Sequence, residues 1–141
     1  MKILLYIISY GFHLVSSFIF FLLIPLPFLI KGTMGESGRF ILLLRVYKRM
    51  MWLAHGALIL ALVSGILMLT SWFSIWLLTV MGIWLAIGAL LGLTAKMCRL
   101  TLERIEIKEG AETEITKLRH FSLLLSLAII VMFAIKFLRY V

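Results

Sequence analysis

Tyr6-Ile-Ile-Ser9-Tyr10-Gly-Phe-His13-Leu-Val-Ser16-Ser17 lies inside a run of apolar residues that begins at Ile3 and ends at Ile30. Its polar-capable side chains are Tyr6, Ser9, Tyr10, His13, Ser16 and Ser17. At helical spacing they fall within roughly 60° either side of His13, so they form one stripe on one face. A polar stripe within an apolar run of this length reads as a membrane helix. Its polar side is turned toward other helices, a cofactor or a cavity rather than toward lipid.

The rest of the chain has the same character. It is 141 residues long, 64% hydrophobic and 14% charged, with a mean hydropathy of +1.17. Apolar content this high makes lipid the expected solvent, and the length suits one domain of a few spans. Four spans are expected, over about 3–30, 50–70, 75–96 and 118–140, with cytoplasmic loops at 31–49 and 97–117. The first exceeds the ~20 residues a crossing needs. Pro25 and Pro27 are expected to kink or end it near its far end. No A-x-A-like cleavage site follows the first apolar run, so it reads as a retained span. The fold class is therefore all-α, an integral membrane four-helix up-down bundle.

No breaker occurs between Phe40 and Leu53, so the mixed stretch Arg39–Arg49 reads as a cytosolic extension of the second span. Arg99 and Glu103, four residues apart, support a similar extension of the third. Gly110 marks the break before the last helix, and Glu112 and Glu114 suit its first turn. Ser71–Ser74, carrying Trp72, is short enough to make the second and third spans an antiparallel hairpin.

The formal net charge of +8 does not imply nucleic-acid binding, because the basic residues flank apolar segments. Lys31, Arg39, Arg45, Lys48, Arg49, Lys96, Arg99, Arg104, Lys108, Lys117 and Arg119 fall on one side, 11 of the 14 basic residues. Lys2, Lys136 and Arg139 fall on the other. The positive-inside rule then places both long loops in the cytoplasm and both termini outside the cell membrane.

The spans hold no Asp or Glu; all six acidic residues belong to the two loops. A carboxylate proton relay and a two-carboxylate hydrolase are thereby excluded from the membrane interior. Cys98 is the single cysteine, which removes an intramolecular disulfide, a zinc ribbon and c-type haem attachment. Met50, Met51, Met97 and Cys98 cluster near the cytoplasmic boundary, but without paired metal-ligand spacing they read as packing.

His13, His55 and His120 remain as candidate cofactor ligands, with His13 also the candidate for a metal. A neutral imidazole suits an axial haem b position or a copper site. His13 has the richest neighbourhood, since Tyr6, Ser9, Tyr10, Ser16 and Ser17 share its face as a second shell or cavity lining. By helical rise it lies ~15 Å below the outer end, whereas His55 and His120 lie about 23–24 Å down. Those two match in depth on spans expected to be diagonal, an arrangement that suits a bis-histidine haem. Each histidine also has a plainer use, as a hydrogen-bonding residue between helices. Gly82, Ala86, Gly88 and Gly92 in the third span let helices approach closely, within the bundle or in a homodimer.

Arg45-Val-Tyr-Lys48-Arg49-Met-Met-Trp52 leads into Leu60-Ala-Leu-Val-Ser64-Gly65-Ile-Leu. Together with four spans and His13, this pattern resembles the small four-helix membrane proteins grouped around CopD-type copper-resistance domains and HemJ-type protoporphyrinogen oxidases. In the resemblance His13 stands for the first-helix histidine, Pro25 or Pro27 for a later proline and Ser64-Gly65 for a small pair in the second helix. It implies haem b or a metal held at His13 and, in the enzyme branch, oxidation of a porphyrinogen. The functions expected are electron transfer, haem or porphyrin metabolism, or copper handling. The alternative is a non-catalytic accessory subunit or assembly factor of a larger membrane complex. Whether the chain is an enzyme, possible membrane oxidoreductase activity included, is left open by its residues.

Overall fold

The computed structural model describes residues 1–69 and 74–140. The turn expected over Ser71–Ser74 lies outside the described residues, Ser74 excepted. The chain is all-α: α1 (Lys2–Leu23), α2 (Leu26–Thr33), α3 (Ser37–Leu67), α4 (Ile75–Glu106) and α5 (Glu112–Tyr140). α1 with α2, then α3, α4 and α5, make four rods each long and apolar enough to cross a membrane. α3 runs unbroken through Arg39–Arg49, and α4 continues past Arg99 to Glu106.

Buried positions explain why the rods pack as a bundle. On α1 they are Ser9, Ser16, Phe20 and Leu23, with half-buried His13 completing a three-four spacing. α4 repeats it with Ile87, Leu91, Thr94, Cys98 and Thr101. On α5 the stripe is Leu118, Ser122, Leu125 and Ile129, then half-buried Met132 and Lys136. A three-four spacing keeps one seam facing the neighbouring helices along the whole rod. The apolar side chains off the seam, such as Ile7, Phe18, Trp52, Leu78 and Phe137, stay exposed, as lipid-facing residues do.

Neighbours follow chain order: α1 lies against α3, α3 against α4 and α4 against α5. The ring closes through α2, which packs on both α3 and α5, whereas α1 itself barely meets α5. Leu23, Leu26, Ile30, Leu44, Met51, Leu91, Leu118 and Leu125 are sealed from solvent and form the core of the half that contains α2. Met97 and Cys98 belong to that core, and the Cys98 thiol donates to the Leu44 carbonyl at 3.4 Å. The other half, where the termini lie, is splayed between α1 and α5.

The break between α1 and α2 has a local cause. Pro25 and Pro27 bring no N–H, so the carbonyl ladder of α1 is interrupted. Ile24 N–H turns back to Phe21 O at 3.2 Å, and Phe28 N–H goes to Pro25 O. Two carbonyls left over find side chains on other helices: Tyr47 Oη donates to Leu22 O at 3.2 Å, and Ser126 Oγ donates to Ile24 O at 2.9 Å. In an apolar interior such donors are what makes a proline break tolerable.

The two ends of α4 are fixed by backbone and charge. Ser74 caps α4, its hydroxyl accepting from Leu77 N–H at 3.1 Å. At the other end of α4, Lys108 adopts φ 57° and its successor's N–H reaches back to Arg104 O. This is the helix stop usually given to glycine, yet Gly110, the expected breaker, has no positive φ. Arg104 then ties the turn together, with Nε 3.2 Å from Glu114 and a terminal nitrogen 3.8 Å from Glu109.

Candidate functional site

The polar stripe of α1 divides once the helix is packed. Ser9 and Ser16 are buried, His13 and Ser17 half-buried, and Tyr6 and Tyr10 exposed. The Ser16 and Ser17 hydroxyls donate to the carbonyls one turn back, Phe12 O and His13 O, both at 2.9 Å. They satisfy themselves on their own helix rather than orienting the imidazole. His13 is instead held by two other helices.

Its Nδ1 lies 3.3 Å from Ser64 Oγ on α3. Ser64 already directs its own proton to backbone, with Leu60 O at 2.7 Å and Ala61 O at 3.2 Å. Its oxygen therefore has a lone pair to offer, and His13 is assigned as the Nδ1–H tautomer that donates to it. Nε2 is then left with a lone pair. That lone pair faces the Nζ of Lys136 on α5, which is within hydrogen-bond distance. An ammonium can only donate, so the directions agree along the whole line: Lys136 to His13, His13 to Ser64, Ser64 to Leu60 O.

The geometry of helices explains how a lysine so near the end of α5 reaches inward. Side chains tilt toward the N-terminus of their own helix. On α5 that direction leads away from the terminal end and into the bundle, so Lys136 extends toward His13 instead of toward the nearest water. On α1 the same rule tilts His13 up to meet it. Arg139, one turn beyond, follows another path: its guanidinium lies 3.9 Å over the Trp76 ring of α4. The Trp76 indole N–H is buried without a partner among the described residues.

The other two histidines stand apart. His55 is half-buried and its Nδ1 is satisfied by Met51 O of its own helix at 2.6 Å. Ser64, the α3 residue that His13 touches, lies about 13 Å further along by helical rise. His120 is exposed, with its ring set edgewise to Phe121 at 6.3 Å. It lies ~24 Å along α5 from Lys136. Neither joins His13, and among the described residues no group of three His, Cys, Asp or Glu converges on a metal position.

Copper does not fit this donor set. No thiolate or carboxylate accompanies His13 among the described residues, and the ammonium beside it opposes a second cation. Haem b fits in part: Lys136 is a cation for a propionate, but the His13 nitrogen that would hold the iron is the one that Lys136 faces. Beside the cluster, between α1 and α5, Leu14, Ser17, Phe18, Phe21 and Phe133 line an open groove of about 240 Å3.

The four small positions of α4 also divide. A Cβ on Gly88 would come within 3.2 Å of Leu58 Cδ2 on α3, so this glycine serves packing inside the bundle. Trp84 reinforces the contact by donating to Leu58 O at 3.2 Å. Gly82 and Ala86 are exposed, and Gly92 has open space around it.

Lys136 and Ser64 are the functional candidates that sequence reasoning missed. Lys136 counts among the flanking charges when only composition is considered. Its register tells otherwise, since Leu118, Ser122, Leu125, Ile129, Met132 and Lys136 continue one three-four series.

Fold and site together define a multi-pass membrane protein with a lysine–histidine–serine line across three helices. Comparison with protein-family models, curated proteins and solved structures finds no match.

Proposed function

We propose that the protein binds an acidic amphiphile within the membrane, with Lys136 and His13 as the polar end of its site. The observation that carries this reading is a half-buried lysine whose one hydrogen-bond partner among the described residues is the His13 imidazole. A cation taken out of water calls for an anion, and no span supplies one. Charge distribution supports a site in the half of the membrane away from the cytoplasm, with both termini on that side. Haem b and its porphyrin precursors are acidic amphiphiles, and haem would use both groups, a propionate at Lys136 and the iron at His13. Such binding would serve haem or porphyrin metabolism or electron transfer.

The test is purification in a non-ionic detergent, followed by haemin titration and by extraction of co-purifying acids for mass spectrometry. Wild type is expected to carry an acidic amphiphile that Lys136→Gln loses. A Soret band abolished in His13→Ala identifies that ligand as haem. The absence of both a retained acid and a Soret band would overturn the reading.

A second reading, an accessory subunit of a larger membrane complex or a homodimer, is favoured by the outward position of Gly82 and Ala86 on α4. Disulfide trapping of Gly82→Cys in native membranes tests it: a cross-linked species supports it, and a chain that stays uncross-linked counts against it.

A further inference from the structure

The Lys136–His13 pair and the groove between α1 and α5 lie in line. Phe133 stands one turn before Lys136 on the same side of α5. On α1, Leu14 and Ser17 follow His13 directly, and Phe18 and Phe21 carry the same side onward for ~10 Å. Phe21 meets Phe133 edge-on at 6.4 Å, which closes the far end of the groove. Lys136 and His13 do not line the groove, but their helical positions put them at its outer end, above an apolar furrow that runs toward the well-packed half and is open sideways where α1 and α5 part.

We propose that this furrow binds a single-chain acidic lipid, a long-chain fatty-acid carboxylate, with its carboxylate on Lys136 and its acyl chain against Leu14, Phe18, Phe21 and Phe133. The proposal rests on the reading that the ligand is acidic, and it names the lipid. Charge complementarity selects the acid. An ammonium has three protons and His13 accepts one, while Arg139 is engaged over Trp76 and the spans contain no carboxylate. Depth selects a small headgroup. Lys136 is turned inward from the helix end, where a terminal carboxylate can follow its chain between the helices and a bulky phosphodiester headgroup is the poorer fit. The furrow selects one chain, because it is walled by one side of each of two helices and holds about 240 Å3.

Native mass spectrometry of the full chain released from a non-ionic detergent tests this with four probes: laurate, acetate, dodecanol and phosphatidylglycerol. Laurate is expected to bind one per chain. Lys136→Gln should weaken it about tenfold or more, the loss of a charged hydrogen bond. Lys136→Arg, which keeps the charge, should retain most of it. Leu14→Trp, at an exposed position, should fill the furrow and weaken laurate similarly. Lys2→Gln, which removes a charge outside the site, should change nothing. Far-UV circular dichroism and the Lys136→Arg result separate lost binding from lost folding.

Acetate binding as well as laurate would overturn the furrow while leaving an acidic ligand in place. So would phosphatidylglycerol in preference to laurate, or haemin binding with no laurate. Dodecanol binding as well as laurate would overturn both the lipid and the acidic-ligand reading.

Discussion

His13 shows what a single polar residue requires inside an apolar bundle. Both ring nitrogens are engaged, and the two partners are unequal. Losing Ser64 strands an imidazole N–H, whereas losing His13 strands an ammonium. A stranded buried charge is the costlier of the two, by the asymmetry between breaking a pair and removing it whole. His13→Ala is therefore expected to lower stability by about 2 kcal/mol, and Ser64→Ala by about 1 kcal/mol. The double variant His13→Ala/Lys136→Met removes the charge with its partner and should recover most of the larger loss. Reversible unfolding in mixed SDS micelles reads all of these. A double variant no more stable than His13→Ala would show that Lys136 does not depend on the imidazole.

At the level of elements, the proline break and the α3–α4 contact are the places where helices depend on one another's side chains. Tyr47 and Ser126 each serve a carbonyl that the break leaves free. Tyr47→Phe and Ser126→Ala are each expected to cost about 1 kcal/mol, the upper range for a hydrogen bond between membrane helices. Thermal unfolding in detergent measures this, and an unchanged midpoint in both variants would mean that the carbonyls find other donors. The glycines of α4 make a sharper comparison. Gly88 faces Leu58, so Gly88→Ile should overpack that contact and cost about 2 kcal/mol. Gly82 faces outward, so Gly82→Ile should leave the unfolding midpoint of the single chain close to wild type. Equal losses at both positions would contradict the division between bundle and outer face. From sequence these glycines form one stripe, because spacing fixes a face but not its neighbour.

For the whole molecule, hydropathy and three-four spacing made the four rods and their order readable from the chain. The seam of α1 was readable too, through Ser9, His13 and Ser16. What spacing did not disclose was the splay of α1 from α5, which depends on how far α2 wedges between α3 and α5. Lys136 was hidden for a related reason: a basic residue near a span end looks like a headgroup anchor until the direction of its side chain is considered. The distribution of basic residues bears on topology. The terminal end carries three basic residues, Lys2, Lys136 and Arg139. The loop end carries eleven; Arg39, Arg99 and Arg104 face glutamates, and Arg45, Lys48, Arg49 and Lys96 are exposed around the bundle. Eleven basic residues against three favour the loop end in the cytoplasm. Alkaline phosphatase fused after Val141 should be active, and green fluorescent protein fused there should stay dark. The opposite pair of results would invert the molecule, bringing Lys136 and His13 to the cytoplasmic half and drawing their acidic ligand from that leaflet.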